Sequence, residues 1–267
     1  MIDPQTAVLR LCPHWRGRDL GTFEFLSGGY SNNNYAFTYD GECYVLRAPQ
    51  RARPFVDRKL EEAFYQQAQQ VRTVAVVAFD NDRGLMISRW QDGPLLSAEP
   101  PAVDDLIPYL QRLHQTLPAS TRRYDPVILA RDFLAIGSPP AFVTTLASRL
   151  EWQPVDTRSC HNDLNPWNII RAAKDDWVTL DWEWFGDNDP LFDLISLHQG
   201  LLLDPDSLPE LAAEFLEETI PADRLHRCSS AFWLREYAWA HAELCHGSDR
   251  EGLKRQMDTA LARLRAL

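Results

Sequence analysis

Lysine is nearly missing from this chain: Lys59, Lys174 and Lys254 are the only three, and the other basic residues are arginines. No run of Lys or Arg is longer than two, as at Arg122-Arg123, and the formal net charge is -11. Such a chain has nothing to draw in nucleic acid or an anionic membrane, so neither is expected as a partner. The five cysteines, Cys12, Cys43, Cys160, Cys228 and Cys245, are odd in number and scattered. They exclude a disulfide framework, a zinc site or a redox pair, and read as reduced thiols. Long apolar stretches are missing as well, and the opening MIDPQTAVLRLCPHWRGRD lacks a basic start followed by an apolar stretch and a cleavage site. A cytoplasmic protein is expected.

What is present suffices for a sizeable core: 267 residues, 45% of them hydrophobic. That length suggests two lobes or one large domain. Strands are expected at Thr22 to Leu26, Asn34 to Tyr39 and Cys43 to Arg47, the last two joined by the hairpin signal Asp40-Gly41. A helix is expected from Val56 to Val71, then strands from Val74 to Phe79 and Leu85 to Ser88 around the turn NDRG. From Val103 the apolar residues recur at helical spacing, and segments from Phe142, Leu191, Leu208 and Ala231 read as helices. The expectation is α+β: a small antiparallel sheet plus helix, then a larger helical part, with Gly93-Pro94 punctuating the chain between them.

One polar island interrupts the helical part. His161-Asn162-Asp163 is followed by Asn168, and the short apolar stretch Val178-Thr179-Leu180 ends in Asp181. Hard oxygen donors suit Mg²⁺, so Asn168 and Asp181 are candidate metal ligands. Asp163 is left to accept a hydroxyl proton during phosphoryl transfer. The form H-x-D-x-x-x-x-N followed by a strand-end Asp is that of a kinase catalytic loop and metal aspartate. A polar loop rich in Asx turns is the local alternative. Upstream, Ser27-Gly28-Gly29-Tyr30-Ser31-Asn32 lies between two expected strands, where backbone N–H groups can approach phosphates. A strand cation paired to a helix Glu is also needed. No lysine sits there, but Arg47 does, with Glu61 as its expected partner and Glu62 the competitor.

Together LSGGYSNNNYAF, CYVLR, CHNDLNPWNII and LDWEWFGDNDPLFDL resemble the choline kinase and thiamine kinase branch of the aminoglycoside phosphotransferase-like family, from about residue 20 to 200. The resemblance implies a protein-kinase-like two-lobe fold, with a nucleotide-binding N-lobe at residues 1–92, a linker near 88–92, and a C-lobe at 93–267 carrying the catalytic loop, metal site and acceptor pocket. It implies ATP and Mg²⁺ as cofactors, and a small alcohol substrate for a monomer or homodimer. Asp163 matches the catalytic base, Asn168 and Asp181 the metal ligands, and Asp193 an aspartate supporting the loop. His161 reads as a brace for that loop. Ser27, Gly28, Gly29, Ser31, Asn32, Arg47 and Glu61 would serve the nucleotide, with Arg89, Trp90 and Gln91 near adenine.

Glu183 and Trp184 match the branch's substrate-lining Glu and Tyr, and Tyr237 and Trp239 are late aromatics that could face a cation at about 0.5 to 2 kcal/mol per ring. Helical aromatics such as Trp233, Tyr237 and Trp239 equally suit core packing. Choline kinases continue the late helix with a second Trp where this chain has Ala242. DWEWFGDNDP also resembles thiamine kinases, which leaves choline and thiamine both open. An aminoglycoside or amino-sugar phosphotransferase is the alternative acceptor class, and a nucleotide-binding pseudokinase the alternative outside catalysis.

Overall fold

The computed structural model describes residues 3–27, 30–53 and 55–267. In chain order the elements are α1 (Pro4–Leu11), β1 (Glu24–Leu26), β2 (Asn32–Tyr39), β3 (Glu42–Pro49), α2 (Arg58–Gln67), β4 (Val76–Asp80), β5 (Leu85–Arg89), α3 (Leu106–Thr116), α4 (Pro126–Leu134), α5 (Ala141–Arg149) and β6 (Arg158–Cys160). They continue as β7 (Ile169–Ala173), β8 (Asp176–Thr179), β9 (Gly186–Asn188), α6 (Leu191–Gly200), α7 (Leu208–Leu216), α8 (Ala222–Cys245) and α9 (Glu251–Ala266). The chain divides into two compact units. One comprises Met1–Pro101, Thr116–Pro118 and Pro166–Trp184, the other Ala102–Gln115, Ala119–Asn165 and Phe185–Leu267.

The first unit is built on an antiparallel sheet in the order β1-β2-β3-β5-β4. Asp40 and Gly41 both adopt positive φ, 52° and 78°, the primed turn whose twist matches the flanking strands, so β2 and β3 pair in full from Asn32↔Pro49 to Tyr39↔Glu42. One face packs an aromatic core of Trp15, Phe37 and Tyr44 with Leu46 and Ile87. Trp15 lies 4.1 Å from Tyr39, ring over ring.

Helix α2 is shorter than the apolar period suggests. Asp57 caps it, accepting from the N–H groups of Lys59 and Leu60, so Val56 lies outside, and Ala68 closes its far end. Its Phe64 stacks on the fully buried Trp182 at 4.1 Å, seating the helix on the stretch that carries Asp181 and Glu183. The β7–β8 hairpin belongs to this unit too. Gly93, at φ 129°, lets the chain pass so close to it that a Cβ would lie 2.4 Å from the Arg171 carbonyl oxygen. Residues 94–96 then bond along β7, with Arg171 N–H donating to Pro94 O and Leu96 N–H to Ile169 O.

The second unit is helical, apart from the two-stranded ladder β6–β9. Asp125 caps α4 ahead of Pro126, and α4, α6 and α9 pack around α8. Helix α8 begins at Ala222, well before the Ala231 expected from the apolar pattern, because Pro221 precedes a largely polar opening stretch, ADRLHRCSS, of about two and a half turns. Its first turn is anchored by Arg224, whose Nε and Nη2 both donate to Asp189 at 3.0 Å. The long helix is therefore tied to the turn between β9 and α6.

Replacing Asp57 with Ala removes two hydrogen bonds from the α2 N-terminus and is expected to lower stability by about 1 kcal/mol. Urea unfolding of the two proteins measures the difference.

Candidate active site

In the first unit a ladder of charges runs along α2 and the strand behind it. Arg47, at the middle of the sheet and 5% exposed, donates from Nη1 and Nη2 to the two carboxylate oxygens of Glu61, at 2.5 and 3.0 Å. The same Nη1 reaches Asp181 Oδ1 at 3.2 Å. Glu61 is thus the partner of Arg47, while Glu62 instead accepts from the Asn81 side-chain amide at 2.6 Å. One helical turn before Glu61, Arg58 donates to Glu61 Oε2 at 2.6 Å and to Glu183 Oε2 at 2.9 Å. The order along the ladder is Asp181, Arg47, Glu61, Arg58, Glu183.

Burial opposes the ionised form of Glu61, but Arg47 and then Arg58 overcome it and hold the carboxyl below its ordinary range. Arg47 likewise stays charged despite burial, because Glu61 outweighs the desolvation. Asp181 goes the other way. Desolvation first, and the Glu183 charge second, raise it above the usual carboxylate range. Three carboxylates here face two guanidiniums, so Asp181, at the end of the ladder, lacks a full counter-charge and keeps its proton more readily than an ordinary carboxyl group. An oxygen donor that a nearby cation would help to ionise fits a hard divalent ion such as Mg²⁺. Asn168, 9% exposed, lies where β7 begins, and its carbonyl accepts the N–H of Leu180, the residue before Asp181. Asp181 itself has a positive φ of 59°.

The second unit holds the His161–Asp163 loop. Asp193, on the first turn of α6 and wholly buried, accepts the N–H of His161 at 2.8 Å and that of Asn162 at 2.7 Å. Burial would raise the Asp193 carboxyl, but His114, 3.1 Å away, and then His161 hold it low. Asn162 takes the left-handed conformation, φ 68°, which asparagine tolerates better than most residues. Its side chain is locked: Nδ2 donates to the carbonyls of Cys160 and Gly186, and Oδ1 accepts from Asn188. His161 Nδ1 accepts the Asp163 N–H at 3.1 Å, so the buried imidazole braces the loop backbone. Asp163 remains about one-fifth exposed and accepts from Asn165 Nδ2 and Arg235 Nη1, each at 2.9 Å.

The remaining candidates are placed as follows. Ser27 follows β1, Ser31 immediately precedes β2 and Asn32 opens it; Gly28 and Gly29 lie outside the described residues. Arg89 pairs with Glu42 at the surface, Trp90 is exposed and its ring N–H bonds Asp92, and Gln91 bonds the Asp92 carbonyl. Trp184 is buried and Glu183 is engaged by Arg58. On α8, Trp233 is packed edge-on against Phe232 and Tyr237 is stacked on His241, while Trp239 is half-buried. The pattern of the sequence did not single out Arg58, Asn188 or Arg235. Arg58 carried one signal, its position three residues before Glu61 on the same helix face. The other two are linked to the loop only through the fold.

The fold is that of the protein-kinase-like phosphotransferases. Residues 22–228 match the model of the phosphotransferase enzyme family, and the chain belongs to that family. It is 27% identical over 212 residues to Protein LicA of Haemophilus influenzae, covering 72% of this chain but 60% of that protein, so it spans less than two thirds of that relative's length. Among solved structures it is similar to choline kinase LicA from Streptococcus pneumoniae, with a TM-score of 0.77, 18% identity, and 98% and 99% of the two chains covered. It is similar also to a LicA in complex with AMP, with a TM-score of 0.78, 19% identity, and 94% and 93% covered.

Two outcomes follow from the charges. Replacing Arg58 with Met leaves the buried carboxylates Glu61 and Glu183 short of a partner and is expected to cost about 3 kcal/mol in urea unfolding. Glu61 and Asp193 stay ionised in the folded state at a pH where the unfolded chain takes up protons. Their stabilisation is therefore complete above about pH 5 and is lost as pH falls below about 4. Thermal melts across the acid range are expected to show the midpoint falling steeply below about pH 4, and less steeply for Asp193→Asn than for the wild-type protein.

Proposed function

We propose that this phosphotransferase moves the γ-phosphoryl group of ATP to the hydroxyl of a small cationic alcohol, with choline the first candidate. The observation that carries this reading is Arg47 bonded at once to a helix glutamate and to the strand-end Asp181, the pairing that phosphoryl transfer requires on the nucleotide side. Asp163 orients the acceptor hydroxyl and takes its proton as the oxygen attacks the γ-phosphorus. The bond from that phosphorus to the β-phosphate bridging oxygen breaks, and ADP leaves. Arg47, held by Glu61, neutralises charge on the phosphates. Mg²⁺ bound by Asn168 and Asp181 would supply the remaining positive charge along the phosphate oxygens.

The stretch bearing Ser27, Ser31 and Asn32 is proposed to lie against the phosphates, and the backbone of Arg89, Trp90 and Gln91 against adenine. Support for a nucleotide comes from the AMP bound to a LicA of the same fold. Support for a choline-like acceptor comes from the family branch and from a relative described as a choline kinase. Glu183, Trp184 and the partly open Trp239 are the proposed acceptor contacts, while Tyr237, expected beside them, is buried with one face stacked on His241. Glu183 shares its charge with Arg58, so a cationic acceptor would draw its binding largely from the aromatic faces. Thiamine is the second reading, carried by the stretch DWEWFGDNDP.

The test is ADP release from ATP and Mg²⁺ with choline, ethanolamine, thiamine, an amino sugar and kanamycin. Choline is expected to give the largest kcat/KM, and Asp163→Asn to lower kcat by about 100-fold or more while ATP still binds. Turnover confined to kanamycin or the amino sugar would overturn the acceptor reading, and full turnover by Asp163→Asn would overturn the assignment of the base. Asp181→Asn is expected to abolish the extra thermal stabilisation that Mg²⁺ gives the ATP complex, seen as a midpoint no longer shifted by the metal.

A further inference from the structure

We propose that Arg235 is a positioning residue for Asp163, an inference that rests on the phosphotransfer reading above for its catalytic consequence. Arg235 lies in the middle of α8 and is 5% exposed. Its Nη1 donates to Asp163 Oδ1 at 2.9 Å, and its Nη2 donates to the carbonyl of Asn162 at 3.2 Å. The two nitrogens of one planar fork thus grip the carboxylate and the peptide just before it. The Asn162 carbonyl points there because Asn162 is left-handed, with its N–H on Asp193 and its side chain on Gly186 and Asn188. The loop is held on one side by Asp193 and on the other by Arg235.

The guanidinium is itself fixed from three directions. Phe192 and Phe232 each place a ring 5.7 Å from its central carbon. Glu236 Oε1 lies 3.0 Å from the same Nη1, and the other oxygen of Glu236 accepts from Gln256 of α9 at 2.5 Å. Arg224 anchors the start of the helix to Asp189. A cation this constrained loses little freedom in holding Asp163. A lysine would supply charge without the second, planar contact to Asn162. The cation gains further attraction from the ring faces.

The experiment has two arms on the full chain. In the first, unfolding equilibria are measured for wild type, Arg235→Ala, Asp163→Ala and the double variant. Loss of Arg235 is expected to change the unfolding constant at least about 5-fold more in the wild-type background than in the Asp163→Ala background. Equal changes in the two backgrounds would overturn the proposal, and this arm reads out without any acceptor. In the second, Arg235→Ala is expected to lower kcat about 100-fold, through a displaced base, with KM for ATP changed by less than about 3-fold. Millimolar guanidinium is expected to restore part of that turnover, and Arg235→Lys to fall between wild type and Arg235→Ala. Unchanged kcat, or a fall that neither guanidinium nor Lys recovers, would overturn the positioning role. A wild-type protein inactive on every acceptor would count against the phosphotransfer reading alone, and the unfolding cycle would still decide whether Arg235 holds Asp163.

Discussion

One buried carboxylate organises the helical unit. Asp193 accepts the N–H groups of two consecutive residues, His161 and Asn162, and two peptide N–H groups can converge on one carboxylate only if the chain between them turns sharply. The turn is supplied by the left-handed Asn162. Once that geometry is set, the Asn162 side chain must find partners in the interior, and it does so on Gly186 and Asn188, which are in turn aligned by the β6–β9 ladder. The ladder, α6 and the loop are consequences of one another. An unpaired Asp193 would be an intolerable charge in a site with no exposed surface, which is why His114 and His161 stand close to it.

The sheet unit solves a related problem with alternating signs. Five ionisable side chains from Asp181 to Glu183 are packed where water is scarce, and each arginine is flanked by carboxylates. Such an arrangement is seldom the most stable filling of a core, since apolar residues of similar volume do as well or better. Its worth lies in geometry: Arg47 and Asp181 are held in one orientation by partners that are themselves immobile. The stack of Phe64 on Trp182 keeps the helix and the strand end at a fixed spacing, so that the polar ladder and the aromatic packing reinforce each other.

Much of this was legible in the residues. The hairpin at Asp40-Gly41 and the strand carrying Arg47 follow from turn chemistry and period, because each is decided within a few residues, whereas Glu61 as the partner of Arg47 is expected from the kinase pattern, with Glu62 left open beside it. The ends of α2 depart from the apolar period because Asp57 acts as a cap and not as part of the helix, and the start of α8 because its largely polar opening turns carry no apolar stripe and are anchored by Arg224. Arg235 and Asn188 were illegible for a different reason. Their partners lie 72 and 26 residues away along the chain, and no local pattern announces a contact of that span. The late aromatics show the same limit: helical spacing did not decide between core and surface, and the fold buries Trp233 and Tyr237 while leaving Trp239 partly open.

The choice of arginine over lysine at residue 47 also sets the covalent reactivity of β3. A lysine amine is a nucleophile when it sheds its proton, and an acylating reagent carried on a nucleotide can mark a protein through such an amine. Arg47 keeps its proton, is almost wholly shielded, and has no lysine elsewhere on the sheet to stand in for it. An amine-directed label would find no target on this strand.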